Sequence, residues 1–322
     1  MKLQTKIPID KESRNPIDYT SQLLLIGSCF SENIGNKLEY YKFQTAQNPF
    51  GILFHPIAIE HLITNAINEK VYTENDVFFL NERWHSFDVH SNLSSSKKET
   101  LLANLNKAIS ETNKQLHNTT HLIITLGTSW VYRHIESDII VANCHKVRQK
   151  KFLKELLTVE EIIESLEAVM ALVKSINPTL NMLFTVSPVR HLKDGFTENQ
   201  LSKAHLITAI QALVSPRAQS RGLYYFPAYE IVMDELRDYR FYAEDMIHPN
   251  QTAIHYIWER FTTTWISDVT QTTMLEIESI QRGLAHKPFN ETSEQHQQFL
   301  KTIQEKTSKL QVLFPFITFD DV

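Results

Sequence analysis

The sequence predicts an α/β protein built on a parallel sheet, and three observations carry that prediction. Four short apolar runs, at 23–26, 122–126, 182–186 and 223–226, each stop at a turn or loop signal, as buried strands do. Helical patterns lie between them, and strands that alternate with helices imply βαβ crossovers and a sheet covered on both faces. Glycine is scarce, 7 in 322 residues, or about 2% against a usual ~7%, so each one marks a place where the backbone needs unusual freedom.

Taken in order, the run at 23–26 is the first strand, and a weaker strand candidate at 42–46 precedes Asn48-Pro49. A helix is predicted over 57–67, where Ile57, Leu62, Ile63 and Ile67 fall near one face. Residues 71–100 break the alternation: Phe78, Phe79, Trp84 and Phe87 give way to the polar Ser94-Ser95-Ser96-Lys97-Lys98. This reads as an insertion with β character, extending over about 71–118. Residues 129–143 read as a hairpin. The strongest helix, 159–176, repeats Ile162, Ile163, Leu166, Val169, Met170 and Val173 at helical spacing and stops at Asn177-Pro178. A further helix is expected over 202–214, and another carries Ile254, Ile257 and Trp258. Residues 1–268 therefore read as one domain. Residues 269–322 read as a helical appendage dense in Gln, Glu and Lys, whose 313–319 stretch is apolar enough to dock on the body or on another subunit.

Composition narrows the class of function. With 42% apolar and 21% charged residues, the chain can bury a core, which excludes a disordered protein. Lys plus Arg is 32 and Asp plus Glu is 37, for a net charge of −5. With no dense basic block, a nucleic-acid partner is not expected. The first twenty residues hold no apolar signal stretch, and no uncharged apolar run reaches the ~18 residues a spanning helix needs, so no membrane association is expected. Two cysteines, Cys29 and Cys144, cannot make a disulfide framework, and the reading is a cytoplasmic protein with reduced thiols. His85, His90, His145 and His191 lack the close spacing of a ligand set, so neither a metal nor another cofactor is expected.

Two stretches carry chemistry. The first strand runs into Gly27-Ser28-Cys29-Phe30-Ser31, which places a serine at the carboxyl end of strand one where a helix opens. Ligands of open α/β sheets bind at such ends, and the first amides of a helix point at incoming negative charge. Ser28 reads either as a nucleophile or as a loop residue beside a helix capped by Ser31. The second stretch is Asp245-Met246-Ile247-His248-Pro249-Asn250. Histidine is the usual base for a serine, and an acid three residues earlier can orient its ring; the alternative is that Asp245 caps the next helix. Cys29 is a rival nucleophile, but adjacent residues leave a turn in different directions, so only one of the two faces the site.

Taken together these blocks resemble the GSCFA-domain proteins, with Ser31 where the family name carries alanine, and through them the SGNH/GDSL hydrolase superfamily. Asn48-Pro49-Phe50-Gly51, Trp84-His85-Ser86-Phe87-Asp88, Thr125 to Tyr132, Asn143-Cys144-His145-Lys146 and Val186 to His191 look like the same family. The resemblance spans about residues 20–265. It implies a three-layer α/β/α, flavodoxin-like fold and esterase-type acyl transfer, with Ser28, His248 and Asp245 as the triad. It also implies oxyanion donors at the amides of Ser28 and Gly51. The superfamily's third-block asparagine is absent; Gly127-Thr128-Ser129 stands there instead. Ser129 is the candidate substitute, with Asn143 and Asn48 as alternatives.

Asn48, Gly127, Trp130, Arg190 and His191 complete the candidate substrate-binding set. Trp84, Phe87 and Trp130 either line a pocket or simply pack, and Arg190 either binds an anionic group or holds a loop. The expected partner is a small-molecule or carbohydrate ester, an O-acetylated sugar being one class. An acyltransferase on the same triad and a non-catalytic binding protein are the alternatives, and the oligomeric state is left open.

Overall fold

The computed structural model describes residues 4–214 and 222–319. Its centre is a five-stranded parallel sheet of β1 (Gln22–Gly27), β2 (Gln44–Gln47), β5 (His121–Leu126), β9 (Asn181–Val186) and β10 (Leu223–Tyr225), in the order β10-β9-β5-β1-β2. Counted along the chain this is 2-1-3-4-5, the order of flavodoxin-like sheets. The chain reverses direction across the sheet between β1 and β5, which opens a crevice at their carboxyl ends.

Alternation along the strands assigns the helices to two layers. Leu24 and Ile26 of β1, with Leu122, Ile124, Met182 and Phe184, face a core shared with α2 (Pro56–Ile67), α3 (Lys98–Asn118), α4 (Val159–Ile176) and α5 (Phe196–Leu213). Leu23, Leu25, Ile123 and Leu183 face the opposite core, shared with α1 (Cys29–Tyr40) and α6 (Gln251–Trp265). The result is a three-layer α/β/α sandwich.

Three boundaries differ from the sequence reading. The segment 71–118 is not one insertion. Its α3 buries Leu101, Leu105, Ile109 and Leu116 against the sheet's main core, and only the stretch before it, with the small hairpin β3 (Phe78–Leu80) and β4 (Arg83–His85), lies outside the alternation. The hairpin expected at 129–143 gains a third strand: β6 (Trp130–His134) pairs antiparallel with both β7 (Ile139–Val141) and β8 (Phe152–Leu156). Helix α5 begins at Phe196, six residues before its apolar periodicity, because that first stretch keeps Phe196 exposed and the pattern alone cannot reveal it.

The C-terminal helices are docked rather than free. Met274, Ile277 and Ile280 of α7 (Asp268–Leu284) and Ile303 and Leu310 of α8 (Glu294–Leu313) share one core with Trp258 and Phe261 of α6. Ile317 and Phe319 are buried in the same core, so the apolar 313–319 stretch returns to the body. Among the described residues no helix is long and apolar enough to cross a membrane.

Candidate active site

The carboxyl end of β1 is held by contacts to two neighbouring strands. Gly27 has φ of +144°, and a Cβ there would lie 2.1 Å from the Thr125 carbonyl oxygen, so only glycine fits. Its N–H donates to Asn48 Oδ1 at 2.9 Å, and the next amide, Ser28 N–H, donates to Thr125 O at 3.0 Å. Ser28 itself caps α1: its Oγ accepts the Phe30 N–H at 3.3 Å. The alternative cap, Ser31, lies inside the helix, buried, with its hydroxyl unpartnered. Ser28 has no exposed surface, and among the described residues no hydrogen bond joins it to His248.

The second half of the site is a closed loop before α6. Ala243 N–H donates to His248 O at 2.7 Å and Asn250 N–H to Phe241 O at 2.9 Å. Between them Met246 takes a left-handed conformation, φ +57°. Asp245 Oδ1 accepts the amides of Ile247 and His248 at 2.9 and 3.0 Å, while Oδ2 meets His248 Nδ1 at 2.6 Å. Those amides and the imidazole hold the Asp245 carboxyl down at about 2. Asp245 is not the helix cap; Asn250 is, accepting Ala253 N–H at 3.1 Å. Asp245 therefore spends its carboxylate on the histidine and its loop. That pairing leaves the other ring nitrogen, Nε2, for chemistry.

The end of β9 joins the two halves. Arg190 donates to Met246 O at 3.4 Å and lies over the Tyr242 ring, 4.4 Å from its centroid, so it turns to the histidine loop and holds it. The His191 ring stands edge-on to Phe54, centroids 5.4 Å apart, with Nε2 against Gly127. Burial, then Lys203 and His248, push the His191 imidazole down to about 3, so it is neutral at ordinary pH.

Lys203, which the sequence reading missed, is the unexpected member. It is 1% exposed, and its ammonium donates to Gly127 O at 2.6 Å and Ser187 O at 2.7 Å, pinning the ends of β5 and β9 together. Burial pushes it down to about 7, with Cys29 opposing. The signal was present: Lys203 falls on the buried face of α5 with Asn199, Ser202, Leu206 and Ile210. The Cys29 thiol is pushed up by burial and by Glu32, which outweigh Lys203 and the neighbouring amides. That is the wrong direction for a thiolate nucleophile.

The expected oxyanion donors are differently employed. Gly51 N–H closes a turn on Asn48 O at 2.7 Å, and Ser28 N–H is held by Thr125 as described. Ser129 Oγ donates to Ser202 O at 3.2 Å, fully buried. Gly127 N–H goes to Phe54 O at 2.7 Å. Asn48 uses its side chain on Gly27 and, at 3.4 Å, on Glu32, and Asn143 Oδ1 accepts His145 N–H. Trp130 packs under Lys154 and donates to Glu198 O at 3.1 Å. Trp84 and Phe87 likewise pack on neighbouring rings. The amide of Cys29, at the first helical position, has no acceptor among the described residues. Those residues also include no group of three His, Cys, Asp or Glu placed to hold a metal ion.

Fold and local geometry together define an α/β protein of flavodoxin-like sheet order, with a helix-capping serine at the end of β1 and an acid–histidine pair on the loop before α6. The chain matches the GSCFA family over residues 22–261 and the C-terminal domain of GSCFA domain proteins over 277–322, and it belongs to the GSCFA family. No curated protein matches it.

Proposed function

We propose that this protein is a serine hydrolase of the SGNH type that cleaves an ester, an O-acetylated carbohydrate being the substrate class that fits the resemblance. Ser28 attacks the carbonyl carbon, His248 Nε2 takes its proton and later delivers it to the leaving alcohol, and Asp245 fixes the ring and its charged form. The observation that carries the reading is the Asp245–His248 contact at 2.6 Å. It fixes one imidazole nitrogen and leaves the other for proton transfer, which this reading assigns to Ser28. The first amide of the helix that Ser28 opens, Cys29 N–H, has no competing role in the hydrogen bonds around Ser28 and is the backbone donor this reading assigns to the oxyanion.

A covered Ser28 that bonds to its own helix favours a second reading, a binding protein on the same fold, which would hold an ester without turning it over. A fluorophosphonate probe separates the two. The wild type is expected to be labelled at Ser28 and to hydrolyse p-nitrophenyl acetate, and Ser28→Ala is expected to lose both. Labelling that survives Ser28→Ala, or no labelling of the wild type, would overturn the hydrolase reading.

A further inference from the structure

We propose that the His191 side chain is a catalytic hydrogen-bond donor to the oxyanion, an inference that rests on the hydrolase reading above. The argument begins with elimination at the end of β5. The amides of Gly127 and Thr128 both donate to Phe54 O, at 2.7 and 3.0 Å. Thr128 Oγ1 lies 3.0 Å from both Ser202 Oγ and Trp130 N, and the Ser129 hydroxyl is spent on Ser202. The amides and hydroxyls that this strand end offers are therefore occupied, and none can turn to a substrate without breaking a buried bond.

The His191 ring is different. Among the described residues its nitrogens hydrogen-bond to nothing, and neither is sealed away as a buried unpartnered atom. The residue is nonetheless well placed: its N–H donates to Asn199 Oδ1 at 2.9 Å and its ring leans on Phe54. Nε2 lies 3.2 Å from the position a Gly127 side chain would take, so the glycine is what lets the ring reach the strand end. A preorganised donor at a switch-point crevice is what a developing oxyanion requires.

Burial, helped by two neighbouring groups, decides which protonation state is present. The buried ammonium of Lys203 and the imidazole of His248 both act on His191, and with burial they keep it neutral. Arg190, one residue away, is turned to Met246 and Tyr242. A neutral imidazole carries one proton and cannot lose it to the serine's base, so His191 donates without competing with His248 as an acid. In the step itself, Ser28 Oγ bonds to the carbonyl carbon and its proton passes to His248 Nε2. The carbonyl π pair moves to oxygen, and that oxygen accepts the hydrogen bond from His191 Nε2–H. Collapse returns the pair, breaks the bond to the alcohol oxygen, and sends the His248 proton to that alcohol. His191 keeps its proton throughout.

The test compares His191→Phe, which keeps a ring and removes the donor, with His191→Asn, which keeps an N–H donor. Both are read by the rate of fluorophosphonate labelling at Ser28 and by kcat and KM for p-nitrophenyl acetate. His191→Phe is expected to lower labelling and kcat by about 10²–10³-fold with KM little changed, while His191→Asn keeps activity within about tenfold of the wild type. Gly127→Ala, which keeps the imidazole but sets a Cβ 3.2 Å from its Nε2 and from Phe54 O, should lower kcat. Wild-type labelling rates in His191→Phe, or equal losses in the Phe and Asn variants, would overturn the proposal while leaving the hydrolase reading intact. Absence of labelling in the wild type would overturn both, before any His191 variant is made.

Discussion

The two halves of the site are built in opposite ways. The serine half is part of the sheet: Gly27, Ser28 and Asn48 are locked by backbone bonds across β1, β2 and β5, and Ser28 has no exposed surface. The histidine half is a surface loop, with Asp245 and His248 side chains 46% and 49% exposed, held by its own turns and by Arg190. The position of Ser28, the proposed nucleophile, therefore depends on the stability of the core, whereas that of His248, the proposed base, depends on a few local contacts. Mutations of the supporting residues in the first half should register as lost stability, and those in the second as lost turnover.

Gly27→Ala is the severest way to break that contrast. A Cβ 2.1 Å from a backbone carbonyl cannot be relieved by a rotamer change, and φ of +144° is strained for alanine. The cost should be about 3 kcal/mol or more, a fall in melting temperature of roughly 5 °C. A melting curve that matches the wild type would show that β1 ends more loosely than its contacts imply.

Asp245→Asn attacks the other half. The amide would still accept from the loop backbone, but its NH₂ would face His248 Nδ1 and demand the wrong tautomer. Turnover of p-nitrophenyl acetate should fall on the order of 10³–10⁴-fold, with an unchanged melt. The sign of the pH dependence follows from the depressed carboxyl. The pair is present above the ordinary carboxylate value and is lost only as pH falls through about 2. Any loss of activity between pH 5 and 7 must then come from another group. A change in melting temperature of more than a few degrees in Asp245→Asn would mean that the loop carries structural load.

What the sequence displayed and what it concealed divide along similar lines. The four inner and far-edge strands were legible because buried parallel strands are largely apolar, whereas half-buried β2, Gln44–Gln47, gave only a weak signal; Asp245 with His248 were legible because three residues bring them into one turn. The first turns of α5 were not legible, since an exposed Phe196 and polar neighbours carry no periodicity. Lys203 meets carbonyls 76 and 16 residues away, and Ser129 is occupied by a serine 73 residues on. Such contacts exist only once the sheet has brought β5, β9 and α5 together; the helical pattern puts Lys203 on the buried face of α5 but does not say which carbonyls it meets. The same holds for Gly51, whose scarcity marked it correctly as special: its φ of +71° serves a turn on Asn48, and its amide is consumed there.

Arg190→Met makes the smallest and most discriminating change, because it removes a tie between the halves and leaves both intact. The guanidinium contributes one long bond to Met246 O and a stacking contact on Tyr242, each worth about 1 kcal/mol at a partly exposed position. Methionine preserves much of the stem's packing but neither the donor nor the charge. If the tie positions His248, kcat should fall by about tenfold, labelling of Ser28 should slow in step, and the melt should stay within about 2 °C. Lysine at the same position should recover little, since it cannot reproduce the planar stack. If kcat is unchanged, the turns at Ala243 and Asn250 suffice to aim the imidazole, and the loop would then need nothing from β9 to meet the serine.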